Sequence, residues 1–169
     1  GRRDIGMSGS DLIRTAIHKY NPTHVFGLFS GGHDSLCACH IASQHSEFSG
    51  CIHINTGIGI KETTEFVRNT CQLLGWKLKE YHPPCRYEDM VVEHGFPGPA
   101  MHGRMYQRLK ERCLRSVLRE HGQRNRKIIF IGGARRQESM RRMVHCKSGI
   151  AIGPTPSNRV IWVSPIIEW

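Results

Sequence analysis

The chain is 169 residues long, 38% hydrophobic, and carries a formal charge of +10. That length suits one domain with a real core; with no apolar run near the length of a bilayer span, a soluble cytoplasmic protein without a membrane partner is expected. The charge predicts an anionic partner, from a nucleotide to a nucleic acid, and excludes an acidic solvating tail as the dominant feature. Seven cysteines without framework spacing fit free thiols better than disulfides.

The opening GRRDIG has no initiating Met, so residues 1–6 read as a cloning remnant and Met7 as the native start, with residues 7–169 forming a single domain. A helix is predicted from about Ser10 to Lys19, then a strand at His24 to Phe29 whose Val25, Phe26, Leu28 and Phe29 suggest burial on both faces. A second helix follows from about Asp34 to Gln44, a strand from Cys51 to Asn55, and a helix from Glu62 to Leu74 with Phe66, Val67, Cys71 and Leu74 on its inner face. Lys77 to Tyr81 reads as a third strand, Tyr87 to Glu93 as a short helix, and HGFPGPAMHG as a Pro-punctuated loop. A long helix then runs from about Gly103 to His121, a strand follows at Ile128 to Ile131, and the tail from Gly149 reads as a looser hairpin crossing the rim of the site. Strands alternating with helices imply an α/β fold with a doubly wound, mostly parallel sheet and helices on both faces. In such a sheet ligands sit beyond the carboxyl ends of the strands, where Ser30, Asn55 and Gly132 emerge.

The stretch FSGGHDS explains why two glycines should separate a buried strand from a helix. Gly31 and Gly32 bare the backbone N–H groups, the helix behind them adds the positive end of its dipole, and Ser30 and Ser35 can add hydroxyl donors. The plain alternative is a strand-to-helix turn capped by Asp34. The segment is too short for a G-x-x-x-x-G-K-[ST] loop and lacks its lysine. RKIIFIGGARR repeats the same grammar one hundred residues later.

Four segments in order carry a family resemblance. SGGHDS resembles the Ser-Gly-Gly-x-Asp-Ser loop of the adenine nucleotide α-hydrolases, also called PP-loop ATP pyrophosphatases. HINTGIGIKETTEFV, GGARRQESMRR and VSPIIEW are similar to the DTG…PET…F, Gly-x-Arg…Ser-x-x-Arg and PI(I/L)(D/E)W segments of the phosphoadenylyl-sulfate (PAPS) reductase branch of that Rossmann-like superfamily. The resemblance implies that Ser30, Gly31, Gly32, His33, Asp34 and Ser35 hold the phosphates or sulfate of ATP or PAPS, that Asn55, Thr56 and Gly57 line the nucleoside, and that Gly132, Gly133, Arg135 and Arg136 close over the α-phosphate. It implies ATP α-phosphate or sulfonucleotide chemistry in sulfur metabolism, by a transferase or an oxidoreductase. Asp34 is the loop carboxylate placed to hold Mg²⁺, and no residue stands out as a general base. His33 stands where many relatives carry Lys, and Asn55 replaces the Asp of DTG. The paired cysteines of the iron-sulfur reductases are absent from the sequence, so no such cluster is expected; the chain also stops at PIIEW, where relatives continue, so a C-terminal tail is expected to be missing.

Two arginine groups add to this picture. On the long helix Arg104, Arg108, Arg112, Arg115 and Arg119 fall within about 80° of one another, with Met105, Leu109, Cys113 and Val117 opposite, and Arg104 and Arg108 are expected to point toward the anion site. Arg141 and Arg142 join Arg135 and Arg136 in a second basic cluster. Cys37, Cys39, Cys51, Cys71 and Cys113 are expected to be buried; Cys146, between His145 and Lys147, is the one thiol whose ionisation its neighbours would favour. Two other readings stay open: a PAPS reductase fed by thioredoxin or glutathione whose catalytic cysteine lies beyond the chain, and a non-catalytic nucleotide or nucleic-acid module such as one in DNA modification. A homodimer is compatible with either.

Overall fold

The computed structural model describes residues 8–55, 61–82, 112–121, 127–133, 150–152 and 160–166. The first helix, Gly9–Tyr20 (α1), starts where the Ser8 side chain accepts from Asp11 N–H at 3.1 Å and stops where Asn21 turns left-handed at φ 46°. Strand His24–Leu28 (β1) feeds helix His33–Ser43 (α2), strand Phe48–Ile54 (β2), helix Lys61–Leu74 (α3) and strand Leu78–Tyr81 (β3). Residues 112–121 are helical (α4) and lead to Ile128–Ile131 (β4). Ile150–Ile152 (β5) and Val160–Val163 (β6) end the described chain.

The six strands form one sheet in the order β3-β2-β1-β4-β6-β5. All neighbours are parallel except the edge strand β5, which runs antiparallel to β6. The order reverses between β1 and β4: from β1 the chain winds outward through β2 to β3, and β4 has β6 on its far side. A crevice at such a reversal, beyond the carboxyl ends, is where an open α/β sheet binds ligands.

Both faces of the sheet are covered, which is why its strands read as unbroken apolar runs. Val25, Ile129, Ile131, Ile161 and Val163 pack on Leu12, Ile13, Ala16, Ala38 and Ala42 of α1 and α2. Phe26, Ile128 and Phe130 point the other way, onto Cys113, Leu114 and Val117 of α4. Ile128 to Ile131 are wholly buried, and each such side chain gains roughly 2 kcal/mol from leaving water. A third cluster joins Phe29, Cys39 and Cys51 to Val67 and Cys71 of α3. Gly27 sits inside β1 because a Cβ there would lie 2.7 Å from Cys39 Sγ, so its absence lets α2 approach the sheet.

Several expectations are corrected. On α3 only Val67 and Cys71 are buried, whereas Phe66 and Leu74 are 46% and 45% exposed; Phe66 lies 100° round the helix from Val67, beyond a narrow buried stripe. Strand β2 starts at Phe48, three residues before the apolar run at Cys51, because Gly50 takes φ 115° where a Cβ would lie 2.7 Å from Lys77 O, so the strand continues where a side chain would collide. The tail hairpin does not merely cross the rim. Its β6 is an inner strand beside β4, with Ile161 and Val163 buried on one face and the Trp162 ring 5.2 Å from Phe130 on the other. The short helix expected at 87–93 and the first part of the long helix lie outside the described residues.

Candidate functional site

The segment Phe29–Gly32 joins β1 to α2 at the reversal. Phe29, 1% exposed, is pinned from both sides of its peptide: its N–H donates to Ile52 O at 2.9 Å and its carbonyl accepts from His53 Nδ1 at 2.9 Å. His53 is itself buried and fixes the base of the loop.

Beyond Phe29 the serines close a ring. Ser35 Oγ accepts from Ser30 N–H at 3.1 Å and donates to Gly32 O at 3.0 Å. Ser30 Oγ lies 3.0 Å from Ser35 Oγ and accepts from Gly32 N–H at 3.4 Å, so the Ser30 hydroxyl proton is the one that bridges the two. Both hydroxyls therefore hold the loop in shape. The first turn of α2 that follows has N–H groups without intrahelical carbonyls.

The cap of α2 is Gly32 and not Asp34. Gly32 has φ −83° and no side-chain hydrogen bond to the helix, and Leu36 N–H already closes on its carbonyl at 3.0 Å. Asp34 lies inside the first turn, half-buried. The reason is register: with Ser35 Oγ bound to Gly32 O, helical geometry begins at His33, two residues earlier than an Asp34 cap allows.

The glycines differ in what they permit. Gly31 holds φ 94° and a Cβ there would lie 2.6 Å from the Thr63 methyl, so α3 braces the loop from behind. A Cβ on Gly32 would meet only Ser30 Oγ, at 3.6 Å. Across the crevice, Gly132 follows β4 with its N–H on Val163 O at 2.9 Å and open space where a Cβ would be. A Cβ on Gly133 would lie 2.7 Å from Ser35 N and 2.8 Å from Asp34 C. The loop after β4 thus rests directly on the backbone of the first turn of α2.

His33 is exposed, with Nε2 3.6 Å from Cys37 Sγ one turn on; Cys37 is half-exposed and not buried as expected, because α2 turns that side away from β1. Asn55 is half-buried and its N–H donates to Tyr81 O at 2.9 Å, which places it at the carboxyl end of β2. Structure thus brings Ser30 to Ser35, Gly132 and Gly133 together, with Asn55 on the same edge at the end of β2, one strand over from β1. Thr56, Gly57, Arg104, Arg108, Arg135, Arg136, Arg141, Arg142 and Cys146 lie outside the described residues. Thr63 and Gly27, which sequence reasoning missed, support the loop from α3 and β1; the isolated Gly27 inside a strand pattern was the readable signal.

The other described thiols are poor nucleophiles. Burial pushes Cys71 up to about 12 and Cys113 up to about 11, and Cys51, hydrogen-bonded to Cys39 and buried, is pushed up as well. Among the described residues no three His, Cys, Asp or Glu side chains gather into a metal site, and no helix is long and apolar enough to cross a membrane.

The family model for the phosphoadenosine phosphosulfate reductase domain matches residues 24–169. The chain belongs to that family. Among solved structures it is similar to phosphoadenylyl-sulfate (PAPS) reductase from Candida auris in a phosphate complex, at TM-score 0.65 and 19% identity over 96% of this chain and 74% of that one. It is also similar to the NH3-dependent NAD synthetase of Campylobacter jejuni in complex with nitrate, at TM-score 0.61 and 15% identity, covering 95% of this chain and 64% of that one. At those identities the two structures establish the fold, which is the PP-loop, adenine nucleotide α-hydrolase-like one. No curated protein sequence matches the chain.

Proposed function

We propose that the family's crevice in this chain binds the phosphate-bearing end of an adenine nucleotide, ATP or PAPS, and acts on the α-phosphate region of ATP or on a sulfonucleotide. The observation that carries this is Gly32: it caps α2 without a side chain, with only Ser30 Oγ near where a Cβ would be, at the reversal between β1 and β4. A helix start without a side-chain cap, set beside a second backbone loop, offers an oxyanion N–H donors and the positive dipole end. Both structural neighbours were solved with a small oxyanion, phosphate in one and nitrate in the other. Arg135 and Arg136, which follow Gly133 in sequence, would supply guanidinium forks to the phosphate oxygens.

Asp34 is the loop carboxylate that would meet Mg²⁺. With no cluster of three ligands among the described residues, the fit is to an ion carried mainly by the nucleotide's own phosphates, as Mg²⁺ commonly is. When bound, such an ion would neutralise charge on the phosphate oxygens.

Adenosine 3′,5′-bisphosphate or ATP should raise the thermal midpoint, and adenosine alone should do so far less. At a hundredfold excess over Kd the gain is about 2.7 kcal/mol. Equal shifts for all three, or none, would remove the phosphate site. For reduction, four of the five described thiols are buried, and the half-exposed Cys37, like Cys146, matches no cysteine motif of the family. The 169-residue chain given PAPS and reduced thioredoxin should therefore release no sulfite.

A further inference from the structure

Strand β2 carries a histidine into the core. His53 is 5% exposed between Ile52 and Ile54 and shares a face of the sheet with Cys51, the face on which α3 packs. An imidazole in that place is costly where valine or isoleucine would not be, unless its ring nitrogens are put to use. Nδ1 lies 2.9 Å from the carbonyl oxygen of Phe29, and because a carbonyl only accepts, that nitrogen carries a proton. The bond falls where β1 has ended at Leu28, opposite Ile52, and the chain turns into the glycine loop. The same peptide unit is gripped at its other end, since Ser30 N–H donates to Ser35 Oγ at 3.1 Å. One side chain from β2 and one from α2 thus set the plane of the peptide that leads into Gly31 and Gly32, while Phe29 N–H is held on Ile52 O.

We propose that His53 is a positioning residue for the anion seat: its Nδ1–H sets the tilt of the Phe29–Ser30 peptide, and through it the direction in which the glycine loop and the first turn of α2 present their N–H groups. This rests on the nucleotide reading of the crevice and adds to it a residue that acts through the loop and not on the ligand. An anion held by backbone donors depends on the orientation of successive peptides, and two adjacent glycines restrict that orientation little by themselves. A buried carbonyl deprived of its donor is costly, so the peptide turns to find another and draws Ser30 N–H off Ser35 Oγ. Only the molecules whose loop keeps the native orientation then bind, and the apparent affinity falls by that fraction.

The test sets the whole chain beside its His53→Leu, His53→Asn and His53→Gln variants, with Ile52→Val as the control for lost packing on the other face of the same strand. Two quantities are read at a temperature where every variant is folded: amide hydrogen exchange of residues 29–36 without ligand, and the Kd for adenosine 3′,5′-bisphosphate. His53→Leu should speed exchange in 29–36 and weaken the bisphosphate, each about tenfold, while exchange in α1 stays as it was. Asn places its amide donor as many bonds from Cα as Nδ1 and should restore both quantities; Gln places it one bond farther and should not. Ile52→Val should lower the melting temperature and leave both quantities alone. Should His53→Leu fail to fold, the contrast between Asn and Gln decides. Unchanged loop exchange or unchanged bisphosphate affinity in His53→Leu, no recovery in His53→Asn, or equal losses in Ile52→Val would each overturn the assignment. A wild-type chain that binds no bisphosphate would instead remove the nucleotide reading, and the exchange measurement would still decide whether His53 orients the loop.

Discussion

Two strands of this sheet leave it through a pair of glycines, β1 through Gly31-Gly32 and β4 through Gly132-Gly133, and the pairs are alike in sequence but not in what each glycine does. Within each pair one member is required by the fold and the other is not. Gly31 has the left-handed φ of 94° and the Thr63 methyl against it, and Gly133 has the backbone of Asp34 and Ser35 against it. Gly32 and Gly132 have ordinary room for a side chain. A glycine that packing does not require, placed at the mouth of a crevice, is best explained by what approaches from outside. On the proposed nucleotide-binding reading Gly32 and Gly132 are the ligand-facing members, while Gly31 seats its loop on α3 and Gly133 seats the loop after β4 on α2.

That division predicts a graded series. Gly133→Ala should be the most damaging, because the new methyl meets backbone that cannot swing aside. A cost of about 3 kcal/mol is expected, the upper part of the range for overpacking, and with it a fall in thermal midpoint of roughly 6–12 °C for a chain of this size. Gly31→Ala should cost about 2 kcal/mol through its φ, with part of the clash relieved by rotation of Thr63. Combining it with Thr63→Ser, which removes the opposing methyl, should recover some of that loss in a denaturant melt. Gly132→Ala should change stability by less than about 0.5 kcal/mol, as substitutions in open space do. A loss as large as that of Gly133→Ala would dissolve the distinction between the two positions.

Much of this was readable before the structure. Ile128–Ile131 and His24–Leu28 stood out because burial on both faces leaves unbroken apolar runs, and the α/β alternation followed from them. The convergence of Ser30, Asn55 and Gly132 on one edge followed from parallel strands alone. What was hidden depends on contacts between distant segments. Nothing near Gly133 in sequence says that its neighbour is Ser35, and nothing near Gly31 points to Thr63. The strand at Val160–Val163 read as a rim hairpin because four residues beside Pro and Gly carry too short a pattern to show that both faces are buried. At the start of α2, Asp34 looked like the cap because propensity favours Asp there; the Ser35 hydroxyl on Gly32 O sets the cap two residues earlier.

The central claim is that the side-chain-free cap at Gly32 is an anion seat, and Gly32→Asp tests it most directly. The backbone there, φ −83° and ψ 161°, suits an aspartate cap, whose carboxylate would take the first-turn N–H groups for itself. Thermal melts with and without adenosine 3′,5′-bisphosphate should then show an unliganded midpoint equal to or slightly above that of the wild type, and no rise on adding the nucleotide. A variant that keeps the full ligand-induced rise would show that the nucleotide binds elsewhere and that the loop is only a turn.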